Sequence, residues 1–88
     1  MRVTAIESIK NGVCRKYGEG ELLGNKTPDK FPYNIVGKNV LNPCILLDTG
    51  KYVWGFECWW GTTKKFESEY GSSIKETVMI EPANIKPL

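Results

Sequence analysis

From Pro43 to Gly61 the chain reads as two extended segments joined by a tight turn. Cys44-Ile45-Leu46-Leu47 is a short apolar run, and Asp48-Thr49-Gly50 carries turn chemistry. Lys51 to Trp60 then alternates, with an apolar or aromatic residue at every second position. This predicts a β-hairpin with second strand Lys51–Trp60. Pro43 sits at the start of the first strand, where proline is tolerated. Successive side chains of a strand point to opposite faces. One face of 51–60 is therefore Tyr52, Trp54, Phe56, Cys58 and Trp60, and it is expected to be core. The other is Lys51, Val53, Gly55, Glu57 and Trp59, which sets the Trp59 indole outward beside Glu57. A bulge at Gly55 would exchange the two halves of this assignment.

The remaining chain is punctuated in the same way. Around Lys10-Asn11-Gly12-Val13, Asn-Gly between apolar stretches is a hairpin signal. Thr4-Ala5-Ile6-Glu7 also fits a helix capping box, with Gly12 as a helix end. The hairpin is preferred, with strands at about residues 3–9 and 13–17. Gly18, Gly20 and Gly24 frame a short strand at 21–23. Their spacing is not that of a dinucleotide-binding loop, and no helix pattern follows, so they read as turns and close backbone approach. Residues 25–42 form a long connection with Phe31, Tyr33, Ile35 and Val36 inside it. Long loops in small domains are often functional, and this one reads equally as a lid or as a plug for an open barrel end. Thr62 to Tyr70 reads as a short helix, capped by Thr62 or Thr63 and closed by Gly71, with Phe66 and Tyr70 on one face. A last strand is expected at 74–81, with a short tail that can add a final pairing. The whole is predicted to be one mostly β (α+β) domain, residues 1–88; its short strands, the Asp48-x-Gly50 hairpin and the Glu81-Pro82-Ala83-Asn84-Ile85 ending resemble those of SH3-like small barrels, which implies a small SH3-like antiparallel barrel with one short inserted helix.

Eighty-eight residues make one thin-cored domain. No histidine is present, which removes Ser-His-Asp and Cys-His catalysis and histidine-ligated metals together. Cys14, Cys44 and Cys58 form no C-x-x-C pair, so no zinc or dithiol centre is expected, and an odd count argues against a disulfide framework. They are expected to be reduced cysteines of a cytoplasmic protein. No apolar run is long enough to span a membrane. A net charge of +2 is too small to imply a general polyanion binder. Glu57, Glu67 and Glu69 are the only carboxylates clustered near the tryptophans. Glu67 and Glu69 diverge on a helix, so no two-carboxylate centre is expected. The chain is expected to be no enzyme, with no cofactor and no metal.

The candidate binding residues lie around three tryptophans within 54–60. Trp54 and Trp60 are expected in the core. An exposed Trp59 beside Glu57 suggests stacking on a base or covering a cation. After Gly61 a helix start carries Thr62, Thr63, Lys64 and Lys65; unpaired amides and a partial positive charge there suit phosphate. Ordinary helix capping with solvated lysines explains the same residues without a ligand. Arg15 can form bidentate bonds to phosphate, and Phe31 can reach in from the long loop.

The run Asp48-x-Gly50-x-x-Val53-x-Gly55-x-Glu57-Cys58-Trp59-Trp60-Gly61 resembles a segment of small uncharacterised bacteriophage accessory proteins. That resemblance implies a counter-defence protein that acts by binding, either sequestering a nucleotide second messenger or inhibiting a host enzyme. The first expectation is therefore a ligand site for a phosphate-bearing nucleotide, cyclic nucleotides included, built from Trp59, Thr62, Thr63, Lys64, Lys65, Glu57, Arg15 and Phe31. A protein–protein inhibitor of a host defence enzyme, with Trp59, Phe31 and Tyr33 as anchors, and a nucleic-acid-binding barrel are the alternatives. Homo-oligomerisation would deepen the shallow pocket that so small a barrel offers.

Overall fold

The computed structural model describes residues 1–31 and 41–88. Six strands and one helix follow in the order β1 (Arg2–Lys10), β2 (Val13–Lys26), β3 (Asn42–Leu47), β4 (Tyr52–Trp54), β5 (Trp59–Thr62), α1 (Thr63–Tyr70) and β6 (Glu76–Met79). The first hairpin turns at Asn11 and Gly12, both with positive φ (52° and 80°). This is the backbone that a two-residue hairpin loop requires and that Asn-Gly supplies. The capping-box alternative for residues 4–12 does not form, because both faces of β1 are needed. Val3 and Ala5 enter the barrel core with Ile45, Leu47 and Val53, while Ile6 packs with Cys14 and Phe66.

The strands run in the order β4-β3-β2-β1-β5, each neighbouring pair antiparallel. β1 and β3 lie on opposite edges of β2, since both pair with its Gly20 and Glu21. Bulges after Ala5, after Ile6 and between Leu22 and Gly24 bend this long strand pair. The terminal strands of the path, β4 and β5, are joined by residues 55–58 alone. Five residue steps span at most about 18 Å, so the sheet must curl to bring its ends together. The mostly β, barrel-like α+β class with one short helix therefore forms as expected. One strand departs from the antiparallel pattern: β6 runs parallel to β2 over Val13–Lys16, on the edge that β3 uses further along.

Three further expectations are corrected. The glycines at 18, 20 and 24 do not frame a separate short strand but lie within β2, which runs unbroken to Lys26. Gly20 is there for clearance, because a Cβ at that position would sit 2.1 Å from the Leu46 carbonyl oxygen. Lys51–Trp60 is not one strand. It breaks after Trp54 into a turn, where the Glu57 N–H donates to the Trp54 carbonyl (2.9 Å), and resumes as β5 against β1. The expected core face therefore fails beyond the break: Phe56 and Trp60 are exposed, whereas Val53, assigned to the polar face, is fully buried. The last strand is shorter than 74–81, and its residues are exposed throughout.

The tail closes the other end of the barrel. Ile85 packs on Trp54 and Cys44, and the buried Trp54 Nε1–H donates to the Ile85 carbonyl (2.6 Å). Asp29 N–H donates to Lys86 O (2.8 Å) and Leu88 N–H to Thr27 O (3.0 Å), so the expected final pairing exists, between the tail and the start of the long connection. The aromatic and apolar residues of that connection, Phe31 apart, fall within 32–40, outside the described residues, and with them the choice between lid and plug.

α1 starts as the sequence predicts. The Thr62 hydroxyl accepts from the Lys65 N–H (3.2 Å), and Gly71 follows the last turn. Loss of this cap is expected to be felt: Thr62→Ala should cost about 1 kcal/mol, seen as a fall of about 4–8 °C in melting temperature for a domain of this size.

Candidate functional site

β1, β5 and α1 meet around a cleft of about 510 Å³. Its placement follows from local chemistry. β5 pairs with β1 through Val3↔Thr62 to Ile6↔Trp59, so the chain enters α1 directly over the outer face of β1. The helix is held there by Phe66, buried against Ile6 and Cys14, and by the Thr4 and Thr63 hydroxyls, 3.0 Å apart. Lys65, Phe66, Glu69 and Tyr70, at helical positions i, i+1, i+4 and i+5, then face back along the sheet. Apolar side chains of Ile6, Ile9 and Phe66 line the cleft, Trp59, Trp60 and Tyr70 are its aromatic walls, and Glu7, Lys65 and Glu69 carry its charge.

Trp59 stands on a crest. The residue is 76% exposed, and beyond it lies a second hollow of about 470 Å³, reaching Phe56, Glu57 and Cys58. Glu7, Trp59 and Trp60 line both hollows. Trp60 and Tyr70 are themselves 37% and 44% exposed, which makes one aromatic patch across β5 and the helix. The charges in the cleft are balanced in pairs. Lys65 Nζ lies 3.9 Å from the Glu69 carboxylate, and the Arg15 guanidinium donates to Glu7 at 2.6 Å. Exposed pairs of this kind contribute little to stability, so a ligand can exchange for either partner at small cost.

The predicted residues divide. Trp59 and Lys65 line the cleft, and Arg15 reaches its margin through Glu7. Thr62 and Thr63 do not line it: one hydroxyl caps the helix and the other bonds Thr4. Lys64 is exposed on α1 and also does not line it. Phe31 is exposed at the edge of the described residues and lines neither hollow. Glu57 lines the second hollow, but its carboxylate is already engaged, accepting from the Trp54 N–H (2.9 Å) and the Ala83 N–H (3.2 Å). It pins the turn after β4 to the segment after β6, and the cation-covering partner expected beside Trp59 is better matched by Glu7. Trp60, Tyr70, Glu7 and Glu69 were not expected in the site. The helical stripe 65, 66, 69, 70 was available as a signal; Glu7 was not, because only the β1–β5 pairing brings it there.

The thiols are held protonated near neutral pH. Burial, then the Glu57 carboxylate, pushes Cys58 up to about 12, and its S–H donates to the Trp54 carbonyl (3.3 Å). Burial also raises Cys14 and Cys44. Among the described residues no cluster of metal-ligating side chains occurs, and no helix is long and apolar enough to cross a membrane. Comparison with known protein families, with curated proteins and with solved structures gave no match.

Proposed function

We propose that this chain works by binding rather than catalysis, as a phage-type counter-defence protein in the host cytoplasm that sequesters a phosphate-bearing nucleotide in the cleft beside Trp59. The observation that carries this reading is the largely exposed indole on the rim of an apolar cleft of about 510 Å³. Ligand pockets commonly fall within about 300–1,000 Å³. Exposed tryptophan is a platform for stacking a base. Lys65 is the cation within reach of a phosphate there, and Arg15 stands one ion pair away. Glu7 and Glu69 offset both, so the cleft carries no net positive charge and opposes a phosphate less the fewer charges it bears. A cyclic phosphodiester fits that condition better than a dianionic terminal phosphate. The carboxylates would then accept from exocyclic amino groups of the base.

A second reading, a protein–protein inhibitor of a host defence enzyme, is favoured by the same aromatic patch. Trp59, Trp60 and Tyr70 have the residue types and clustering of an interface hot spot.

The test is a thermal-shift panel of cyclic and linear nucleotides with wild type and Trp59→Ala. Cyclic nucleotides are expected to raise the melting temperature, and saturation at a hundred times Kd corresponds to about 2.7 kcal/mol. Trp59→Ala is expected to abolish the shift while changing stability by less than about 0.5 kcal/mol, as for an exposed side chain. No shift with any nucleotide would remove this reading. An affinity that collapses steeply with salt on single-stranded nucleic acid would replace it with nucleic-acid binding.

A further inference from the structure

β6 presents an open edge on the side of β2 opposite β1, away from the cleft. It pairs with β2 along one side, and among the described residues no strand lies along the other. The Glu76 N–H donates to the Gly12 carbonyl (3.1 Å) and the Ile80 N–H to the Lys16 carbonyl (2.9 Å). Backbone groups of a strand alternate in direction, so residues 76, 78 and 80 bond toward β2, and Thr77 and Met79 direct theirs outward. Val78 and Met79 are 36% and 60% exposed. Strand edges that remain single are normally interrupted by charge or proline. Here the uncharged run Thr77-Val78-Met79-Ile80 has neither; its charges, Lys75, Glu76 and Glu81, flank it.

We propose that this edge pairs with the same edge of a second copy, antiparallel, about a twofold axis at Val78. That register sets Thr77 opposite the partner's Met79 and Met79 opposite the partner's Thr77. These are the residues whose N–H and C=O groups point outward. Carried past the ends of β6, it also sets Lys75, whose own N–H bonds inward to the Gly12 carbonyl (2.7 Å), opposite the partner's Glu81, twice by symmetry. A shift of one residue would oppose outward groups with inward ones, and a shift of two would leave Lys75 facing an uncharged residue. Hydrogen bonding and charge therefore select the same register, and an isologous contact of this kind closes at two copies. Glu81 is already paired with Lys51 of its own chain, and the partner's Lys75 would join that pair.

Sedimentation equilibrium over a range of protein concentrations tests this. The expected mass rises from that of one 9.9 kDa chain to that of two. Met79→Pro removes the outward amide, leaves the bonds to β2 in place, and is expected to weaken association about tenfold or more, the equivalent of the paired hydrogen bonds lost. Lys75→Glu is expected to weaken it as well, and combining it with Glu81→Lys to restore it. Circular dichroism checks that each variant keeps the wild-type fold. A mass of one chain at every concentration overturns the proposal. So does a dimer indifferent to both Met79→Pro and Lys75→Glu, or a double variant that associates no better than Lys75→Glu alone.

Discussion

Trp54→Ala is expected to remove about a third or more of the stability that holds the chain folded. The indole is completely buried, stacks on Phe56 at 6.2 Å, packs on Cys44 and Ile85, and donates from Nε1 to the Ile85 carbonyl. Removing a buried tryptophan costs about 3–5 kcal/mol through lost burial and the cavity left behind. An 88-residue domain has about 0.05–0.15 kcal/mol of stability per residue to lose. The Ile85 carbonyl is orphaned at the same time, and the tail that covers this end of the barrel loses its anchor. Urea unfolding followed by circular dichroism gives the measurement. A midpoint within about 0.5 M of wild type would correspond to about 1 kcal/mol, and would mean that Trp54 does not hold the tail.

Gly20→Ala is expected to destabilise the chain on a similar scale, by a different route. The added Cβ would lie 2.1 Å from the Leu46 oxygen, 2.8 Å from the Leu46 carbonyl carbon and 2.7 Å from the Leu47 Cα. All three are backbone atoms of β3, so no rotamer change relieves the contact, and β2 and β3 must separate. Overpacking a tight interior costs about 1–3 kcal/mol and sometimes more. Gly61→Ala is the control, because nothing lies within 4 Å of its would-be Cβ. Amide exchange is expected to accelerate at Gly20–Leu22 and Ile45–Leu47 in Gly20→Ala and to stay unchanged in Gly61→Ala. Equal protection in both variants would contradict the close approach of the two strands.

The features legible in the sequence are those set by local chemistry. Asn11-Gly12 supplies two positive φ angles in a row, and a hairpin turns there. Thr62 starts the helix because its hydroxyl accepts the Lys65 N–H, whereas Gly71 keeps a right-handed backbone (φ −53°) and the chain runs on into a 3-10 turn over Gly71–Ser73. The outward indole of Trp59 was also legible, by a partly mistaken route. Alternation over 51–60 predicted it, yet the strand breaks at Gly55, so Trp59 owes its exposure to the pairing of β5 with β1. What was not legible depends on which strand meets which. Gly20 reads as a turn or as a close backbone approach alike until Leu46 lies against it and decides for the second. Glu57 reads as a ligand-facing carboxylate until the amides of Trp54 and Ala83 occupy it. The Thr63 hydroxyl reads as a helix cap or a phosphate donor until Thr4 claims it. In each case a polar or small residue kept its local character and gained a long-range partner that the sequence does not announce.

We propose the cleft between β1, β5 and α1 as a ligand site with Trp59 as its platform. Two-dimensional NMR during titration with a cyclic mononucleotide tests it residue by residue. The indole N–H of Trp59, with the amides of Trp60, Lys65 and Tyr70, is expected to shift in a saturable manner, while the Trp54 indole N–H, buried at the far end against Ile85, stays in place. Saturable shifts gathered elsewhere, or none at millimolar ligand, would contradict the assignment of this cleft.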